Sequence, residues 1–268
     1  EITTRLVGSE MCIRDSHDSL YEVKSIVRKG KKYEVSFFNL EEKLQLFEDQ
    51  IVEYRIIKGN QFAMNEIEKI KKSSEIAHYY NKVIHFINFK PRTEKEVRNY
   101  LKEAEVSEYD SNKIIGKLKE VHFIDDFRFA TRFTEELIRK QKGRFGIYQT
   151  LLQKGLDKTL IEESLKQYLP EVEKSNALEI AKKVTKLYTS YPVKKQKLQI
   201  MQKLASSGYS QEMINYALNS VVFETDFEDR LIKEYHKLVL KNVEKEKIIA
   251  KLLAKGYEYS DIKKIMNT

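Results

Sequence analysis

The chain has 268 residues, 34% charged and 41% hydrophobic, with only 9 Gly and 3 Pro, so it is long enough for a sizeable core and favours a mostly helical protein over an all-β one. A formal net charge of +8 and a pI near 9.1 point to a polyanionic or acidic partner, leaving a nuclease, a nucleic-acid binder and a binder of an acidic protein open. Cys12 is the only cysteine, which excludes an internal disulfide and a cysteine metal cage; no apolar run approaches the roughly 18 to 20 residues that span a bilayer, and the chain reads as soluble and cytoplasmic.

Residues 1–16 carry no periodicity that continues beyond Ser16 and read as a non-native or disordered segment, whose removal should leave folding intact. Residues 17–72 form the next expected region. Leu20 to Val27 alternates apolar and polar residues, Arg28 to Lys32 supplies a Gly-containing turn, and Tyr33 to Phe38 alternates again, which is the pattern of a β-hairpin. Glu42 to Phe47 adds a candidate third strand, and Glu48 to Ile57 a short helix closed by Lys58-Gly59. Another helix begins at Asn65. The region reads as a small β-rich cap on a helical body; a nucleic-acid-binding barrel is the alternative, but the strands are too few to close one.

From Ser74 the pattern is helical to the end. Ile76, Tyr80, Ile84 and Ile87 make one apolar stripe, which Phe89-Lys-Pro91 terminates. Thr93-Glu-Lys-Glu96 has the form of a capping box that starts a helix over Glu94 to Ala104, and a further helix runs from about Ser107 to Lys119. This plan recurs at intervals of roughly 50 residues, anchored on Glu105, Gly155, Gly208 and Gly256. Four positions before each anchor stand Leu101, Leu151, Leu204 and Leu252; one position after stand Val106, Leu156, Tyr209 and Tyr257. Two after, where a helix cap belongs, stand Ser107, Asp157, Ser210 and Glu258; ten after stand Ile115, Leu165, Leu218 and Met266. A glycine just past a helix takes the left-handed conformation without side-chain cost, so the corner at Glu105 should be strained or differently shaped. The expected fold is mainly α: an elongated array of four tandem three-helix repeats, over 73–125, 126–172, 173–224 and 225–268, behind a small N-terminal β-hairpin region.

Few constellations carry chemistry. Asp125 and Asp126 could hold a hard cation, but with no third ligand at spacing they read as caps of the helix starting near Phe127. Phe127, Phe129 and Phe133 read as packing residues rather than a base-stacking platform. The histidines at 17, 78, 85, 122 and 236 are scattered; His78 and His85 share a helix face without an acid or cysteine partner. No phosphate-cradling glycine loop or nucleophile motif occurs, so no catalytic residue, metal or cofactor is assigned. The basic residues stand out instead. Residues 128–160 have a local net charge of +5, from Arg128, Arg132, Arg139, Lys140, Lys142, Arg144, Lys154 and Lys158 against three acids. Residues 180–211 hold seven lysines and no acid, and Lys233, Lys237, Lys241 and Lys245 recur every four residues, as along one side of a continuous helix. Like charges so placed repel by about 0.2–0.5 kcal/mol per adjacent pair, which an anionic partner would relieve.

Three segments together resemble the RecX regulatory proteins of bacteria: Pro91-Arg-Thr-Glu-Lys-Glu-Val97, Ile124-Asp-Asp-Phe-Arg-Phe-Ala130, and Gly143-Arg-Phe-Gly-Ile-Tyr-Gln-Thr-Leu-Leu-Gln-Lys-Gly155. The likeness extends over about residues 18 to 268 and is to the longer, Gram-positive form. The chain departs from the family at His122-Phe123, where Gly-Tyr or Gly-Leu often precedes Ile-Asp-Asp, and at Phe145-Gly146, where Gly-Pro is common. The resemblance implies a non-enzymatic modulator, acting as a monomer without cofactor or membrane. Such a protein binds in the groove of the RecA filament on single-stranded DNA and inhibits ATP hydrolysis, strand exchange and coprotease activity. On that reading the partner-binding residues are Arg92, Lys95, Arg98, Arg128, Arg132, Arg139, Lys142, Arg144, Lys154, Lys194, Lys195 and Lys197. Thr93, Asp125, Asp126, Gly155, Gly208 and Gly256 are structural. Reversing Arg128, Arg132 and Arg144 to Glu is expected to abolish inhibition. A sequence-independent nucleic-acid-binding protein acting without RecA is the alternative.

Overall fold

The computed structural model describes residues 20–267, so Cys12, His17 and the segment 1–16 lie outside the described residues. The chain divides into two compact units: one contains the residues up to Pro91 together with Arg98–Phe123, the other Arg92–Val97 together with Ile124 onward.

The first unit opens with an antiparallel sheet of four strands in the order β3-β2-β1-β4: β1 (Leu20–Lys29), β2 (Lys32–Phe37), β3 (Leu40–Leu46) and β4 (Gln61–Ala63). The hairpin closes at Lys29 opposite Lys32, across Gly30 with φ of +66°. Alternation places Val23, Val35, Phe37, Leu44 and Leu46 in one buried cluster with Phe62 and Ile56. Ile67 and Ile70 complete that cluster from the next helix, which gives the sheet the cover an isolated hairpin lacks. The short strand β4 carries no alternating run and is not legible as a strand in the sequence.

Thirteen helices follow or interleave among the described residues. α1 (Glu48–Glu53) stops short of Ile57. α2 (Met64–Phe89) runs 26 residues through 72/73, where the sequence texture places a boundary between β region and first repeat. No Gly or Pro interrupts that stretch, so nothing stops the helix until Lys90-Pro91. Its fully buried residues are Ile67, Ile70, Val83 and Ile87; Ile76, Tyr80 and Ile84 are only half-buried, so the apolar stripe is displaced from the one expected. α3 (Glu94–Glu103) and α4 (Glu108–Glu120) complete the first repeat. The second is α5 (Asp126–Arg139), α6 (Arg144–Gln153) and α7 (Lys158–Leu165). The third is α8 (Pro170–Leu187), α9 (Val193–Ser206) and α10 (Gln211–Ser220), and the fourth α11 (Glu228–Val239), α12 (Lys245–Ala254) and α13 (Tyr259–Met266). The fold is therefore mainly α, with four tandem three-helix repeats, each a longer helix followed by two shorter ones.

The repeated columns of the sequence have a local cause. At every corner the amide one position past the anchor donates to the carbonyl of the leucine four before it: Val106 to Leu101 (3.1 Å), Leu156 to Leu151 (3.3 Å), Tyr209 to Leu204 (3.1 Å) and Tyr257 to Leu252 (3.3 Å). This is the Schellman termination, in which those two residues also make the accompanying apolar contact. All four leucines are fully buried, each contributing about 2 kcal/mol. The anchors take φ of +57° at Glu105 and +82°, +83° and +96° at Gly155, Gly208 and Gly256. Glu105 thus makes the same corner under strain rather than a different one.

The glycines also answer a spatial need. A Cβ on Gly155 would fall 1.9 Å from Lys95 Cδ, one on Gly208 2.1 Å from Gly146 N, and one on Gly256 3.1 Å from Lys194 Cβ. Lys95, Gly146 and Lys194 all sit two or three residues past the N-cap of a middle helix. The start of one repeat's middle helix therefore lies against the glycine corner of the next repeat, three times over. Between repeats two and three the approach is backbone to backbone, with Gly143 N donating to Ser207 O (2.9 Å) and Gly146 N to Gly208 O (3.2 Å).

Candidate partner-binding surface

The helix start at Asp125 fixes the candidate surface of the second repeat. Asp125 Oδ1 accepts from Arg128 N (2.9 Å) and caps α5. Its neighbour Asp126 serves a different helix: Oδ1 accepts from Glu94 N (2.9 Å), satisfying an orphan amide at the start of α3. From that start Arg128, Arg132 and Arg139 fall at helical spacing on one face of α5, and all three are exposed. None of their guanidinium groups has a hydrogen-bond or ion-pair partner among the described residues. Glu135 lies on the same face between Arg132 and Arg139. Phe129 and Phe133 pack on the repeat's core, their rings 5.4 Å apart, but Phe127 is 52% exposed and is a surface residue rather than the packing residue expected.

The other basic candidates divide by environment. Arg144 is engaged internally: Nη1 donates to Leu165 O (3.1 Å), Nη2 to Tyr168 O, and Nε lies 3.6 Å from Glu173 Oε2, while Glu173 Oε1 accepts from Arg144 N (2.8 Å). Its guanidinium thus ties the end of α7 to the turn at Tyr168, adding a second bond to the Leu165 carbonyl that already accepts from Tyr168 N (3.0 Å), and reversing its charge would test folding rather than binding. Lys154 Nζ binds Glu96 Oε1 (2.7 Å), which Arg92 Nη1 approaches at 3.6 Å. Thr93 and Glu96 form the reciprocal box, Glu96 N donating to Thr93 Oγ1 (3.2 Å) and Thr93 N to Glu96 Oε2 (3.1 Å), while Thr93 Oγ1 donates to Lys154 O (2.8 Å). Burial alone would push the Glu96 carboxyl up; the hydrogen bond from Lys154, the Thr93 amide and the charges of Lys154 and Arg92 outweigh it and hold the carboxyl below its ordinary value. Arg98 Nη1 donates to Asn112 Oδ1 (2.7 Å). Lys95 and Lys194 are exposed at their tips, with their aliphatic stems over Gly155 and Gly256. Lys142 and Lys195 are half-buried, and Lys197 lies 5.4 Å from the Phe223 ring.

The lysine stripe of the fourth repeat is broken. α11 ends at Val239, Asn242 takes φ of +51°, and Lys245 opens α12, so only Lys233 and Lys237 of the four share a helix. In the third repeat Lys183 finds Glu179 (3.7 Å), an acid just upstream of the acid-free run, and donates to Gln141 Oε1 (3.1 Å).

Residues that no motif marked hold repeats two and three together. Tyr168 O–H donates to Lys142 O (3.1 Å) and Tyr209 O–H to Gln141 O (3.0 Å), so two tyrosines from successive repeats converge on the corner where Gln141 has φ of +57°. Burial raises both phenols above their ordinary value, so they remain donors. The one sequence signal for this joint is the Gly143-x-x-Gly146 spacing, which admits a second backbone. Among the described residues no group of three His, Cys, Asp or Glu could hold a metal ion, and no helix is long and apolar enough to cross a membrane.

Comparison with known proteins places these repeats. Residues 80–118 match the first three-helix domain of RecX, and residues 125–165 the second. A regulatory protein RecX of Streptococcus agalactiae is 32% identical over 258 residues, covering 90% of this chain and 97% of that protein. Its counterpart in Listeria monocytogenes is 29% identical, covering 89% and 92%. A crystal structure of regulatory protein RecX aligns over 75% of this chain and all of its own, with a TM-score of 0.63 and 24% identity. RecX from Lactobacillus salivarius aligns over 56% of this chain with a TM-score of 0.51.

Proposed function

The chain belongs to the RecX family of regulatory proteins, and we propose that it regulates by binding the RecA filament on single-stranded DNA and inhibiting its ATPase, strand-exchange and coprotease activities. It does so as a non-enzymatic monomer in the cytoplasm, without cofactor, in recombinational repair and the SOS response. The observation that carries this reading is the face of α5, where Arg128, Arg132 and Arg139 are exposed together and unpartnered among the described residues. A planar guanidinium pairs a carboxylate or phosphate through two parallel bonds, so three on one helix face suit a surface of closely spaced anions. Lys194 and Lys197 on α9 add long-range attraction.

The test is RecA ATPase on single-stranded DNA with substoichiometric protein. Replacing Arg128, Arg132 and Arg139 together by Glu should raise the half-inhibitory concentration about 100-fold or more, because each reversal sets like charges together. Unchanged inhibition by a folded triple variant would refute the site. The acid-free lysine run of the third repeat favours a second reading, sequence-independent nucleic-acid binding without RecA. Excess free single-stranded DNA would then relieve all inhibition, whereas inhibition that survives the competitor supports direct binding to the filament.

A further inference from the structure

The first unit contains a cleft of about 1350 Å³, lined by α1, the β1–β2 hairpin, α2 and α4. It is larger than the roughly 300–1,000 Å³ that encloses a small ligand, so its volume suits a segment of polymer. Seven ammonium groups line it: Lys31 and Lys32 from the hairpin, Lys69, Lys72 and Lys82 from α2, and Lys113 and Lys117 from α4. The acids of the lining are fewer, Glu48, Asp49 and Glu53 on α1 and Glu120 at the end of α4. Among the described residues none of the seven lysines is ion-paired with a carboxylate. Four of the seven lie near rings: Lys32 is 5.0 Å from the Phe47 ring, Lys82 5.3 Å from that of Tyr79, and Lys72 and Lys113 5.7 and 4.5 Å from that of Tyr109. His78 Nδ1 sits 3.5 Å from Lys32 Nζ, and burial together with the charges of Lys32 and Lys82 depresses its affinity for a proton, as a positive field requires.

We propose that this cleft binds a short stretch of single-stranded nucleic acid, its phosphates on the lysines of α2 and α4 and its bases against the half-buried rings of Phe47, Tyr54 and Tyr80. Cations interleaved with ring faces are what a single strand uses, since each nucleotide brings one phosphate and one π-face. An acidic peptide would satisfy the lysines but leave the rings without stacking partners. The site belongs to the N-terminal unit, whereas the α5 face belongs to the other, and it stands whether or not RecA is the partner.

Fluorescence anisotropy of a labelled oligothymidylate with the full chain tests it. Replacing Lys69, Lys72, Lys113 and Lys117 by Gln should weaken binding about tenfold or more and lower the slope of log affinity against log salt by about 3, four single-strand phosphates at roughly 0.7 each. A control variant replacing Lys233 and Lys237, exposed on α11 in the other unit, by Gln leaves the cleft intact and should retain the wild-type slope. Unchanged affinity and slope in the lysine variant would overturn the proposal, as would polyglutamate binding the wild-type chain as tightly as the oligonucleotide. Where the lysine variant fails to fold, photocrosslinking of a 5-iododeoxyuridine strand to the wild-type chain decides: adducts on Phe47, Tyr54 or Tyr80 support the site, and adducts confined to residues outside the first unit overturn it.

Discussion

Gly208→Ala separates two demands that the repeat corners make of glycine. The corner has φ of +83°, where an L side chain costs about 1–2 kcal/mol, partly offset by about 0.4–1 kcal/mol of unfolded-state entropy. The added Cβ would also sit 2.1 Å from Gly146 N and 2.2 Å from Gly146 Cα, and backbone cannot swing aside as a side chain does. The two segments must part, weakening the bonds from Gly143 N to Ser207 O and from Gly146 N to Gly208 O at about 1 kcal/mol each. The sum is about 2–4 kcal/mol. Three other glycines isolate the components. Gly30 has φ of +66° and nothing within 4 Å, so Gly30→Ala carries the conformational cost alone. Gly143 has φ of −71° but its Cβ would meet Gly208 O at 2.4 Å, so Gly143→Ala carries the spatial cost alone. Gly116 has neither constraint and lies within α4, so Gly116→Ala should stabilise by about 0.5–1 kcal/mol. Urea unfolding ranks the four variants, and hydrogen exchange at the Gly143 and Gly146 amides reads the joint directly. If Gly208→Ala costs no more than Gly30→Ala and leaves those amides protected, the close-approach account is wrong.

Glu105→Gly and His122→Gly each relieve a positive φ, +57° and +56°, at the price of unfolded-chain entropy; a rise in urea midpoint worth about 0.5 kcal/mol is expected, and a fall in both would show that the corners are not strained. Arg144→Lys should lower stability by about 1–2 kcal/mol, since one ammonium cannot reach the carbonyls of both Leu165 and Tyr168; an unchanged melt would mean those bonds are not made in solution. The depressed Glu96 carboxyl contributes stability that is present above its ordinary value of 4.5 and lost as pH falls through its folded value. Wild type should therefore exceed Glu96→Gln in stability most at neutral pH and converge with it in acid, and a gap that widens on acidification would refute the sign.

How far the fold is legible depends on how local its causes are. The Schellman corner needs only a leucine, a left-handed residue and an apolar residue within six positions, so four columns of sequence suffice to set out four repeats. Glycine adds information in the later corners because each faces the preceding repeat's middle helix. Glu105 belongs to the first repeat, with none before it to press on the corner; it meets the conformational demand under strain and faces no spatial one. The site is legible only where side chains answer to their own helix. Arg128, Arg132 and Arg139 can be placed on one face from spacing alone once Asp125 sets the start of α5. Arg144 cannot, because its partners lie 21 to 29 residues away and emerge only when α7 turns back and α8 begins. The lysines of the fourth repeat fail for the opposite reason: a period of four persists through 233, 237, 241 and 245, but a left-handed residue at Asn242 breaks the helix that would have aligned them. Periodicity in charge, which costs little to satisfy on any exposed surface, is thus weaker testimony than periodicity in buried leucine, where each misplaced residue forfeits about 2 kcal/mol.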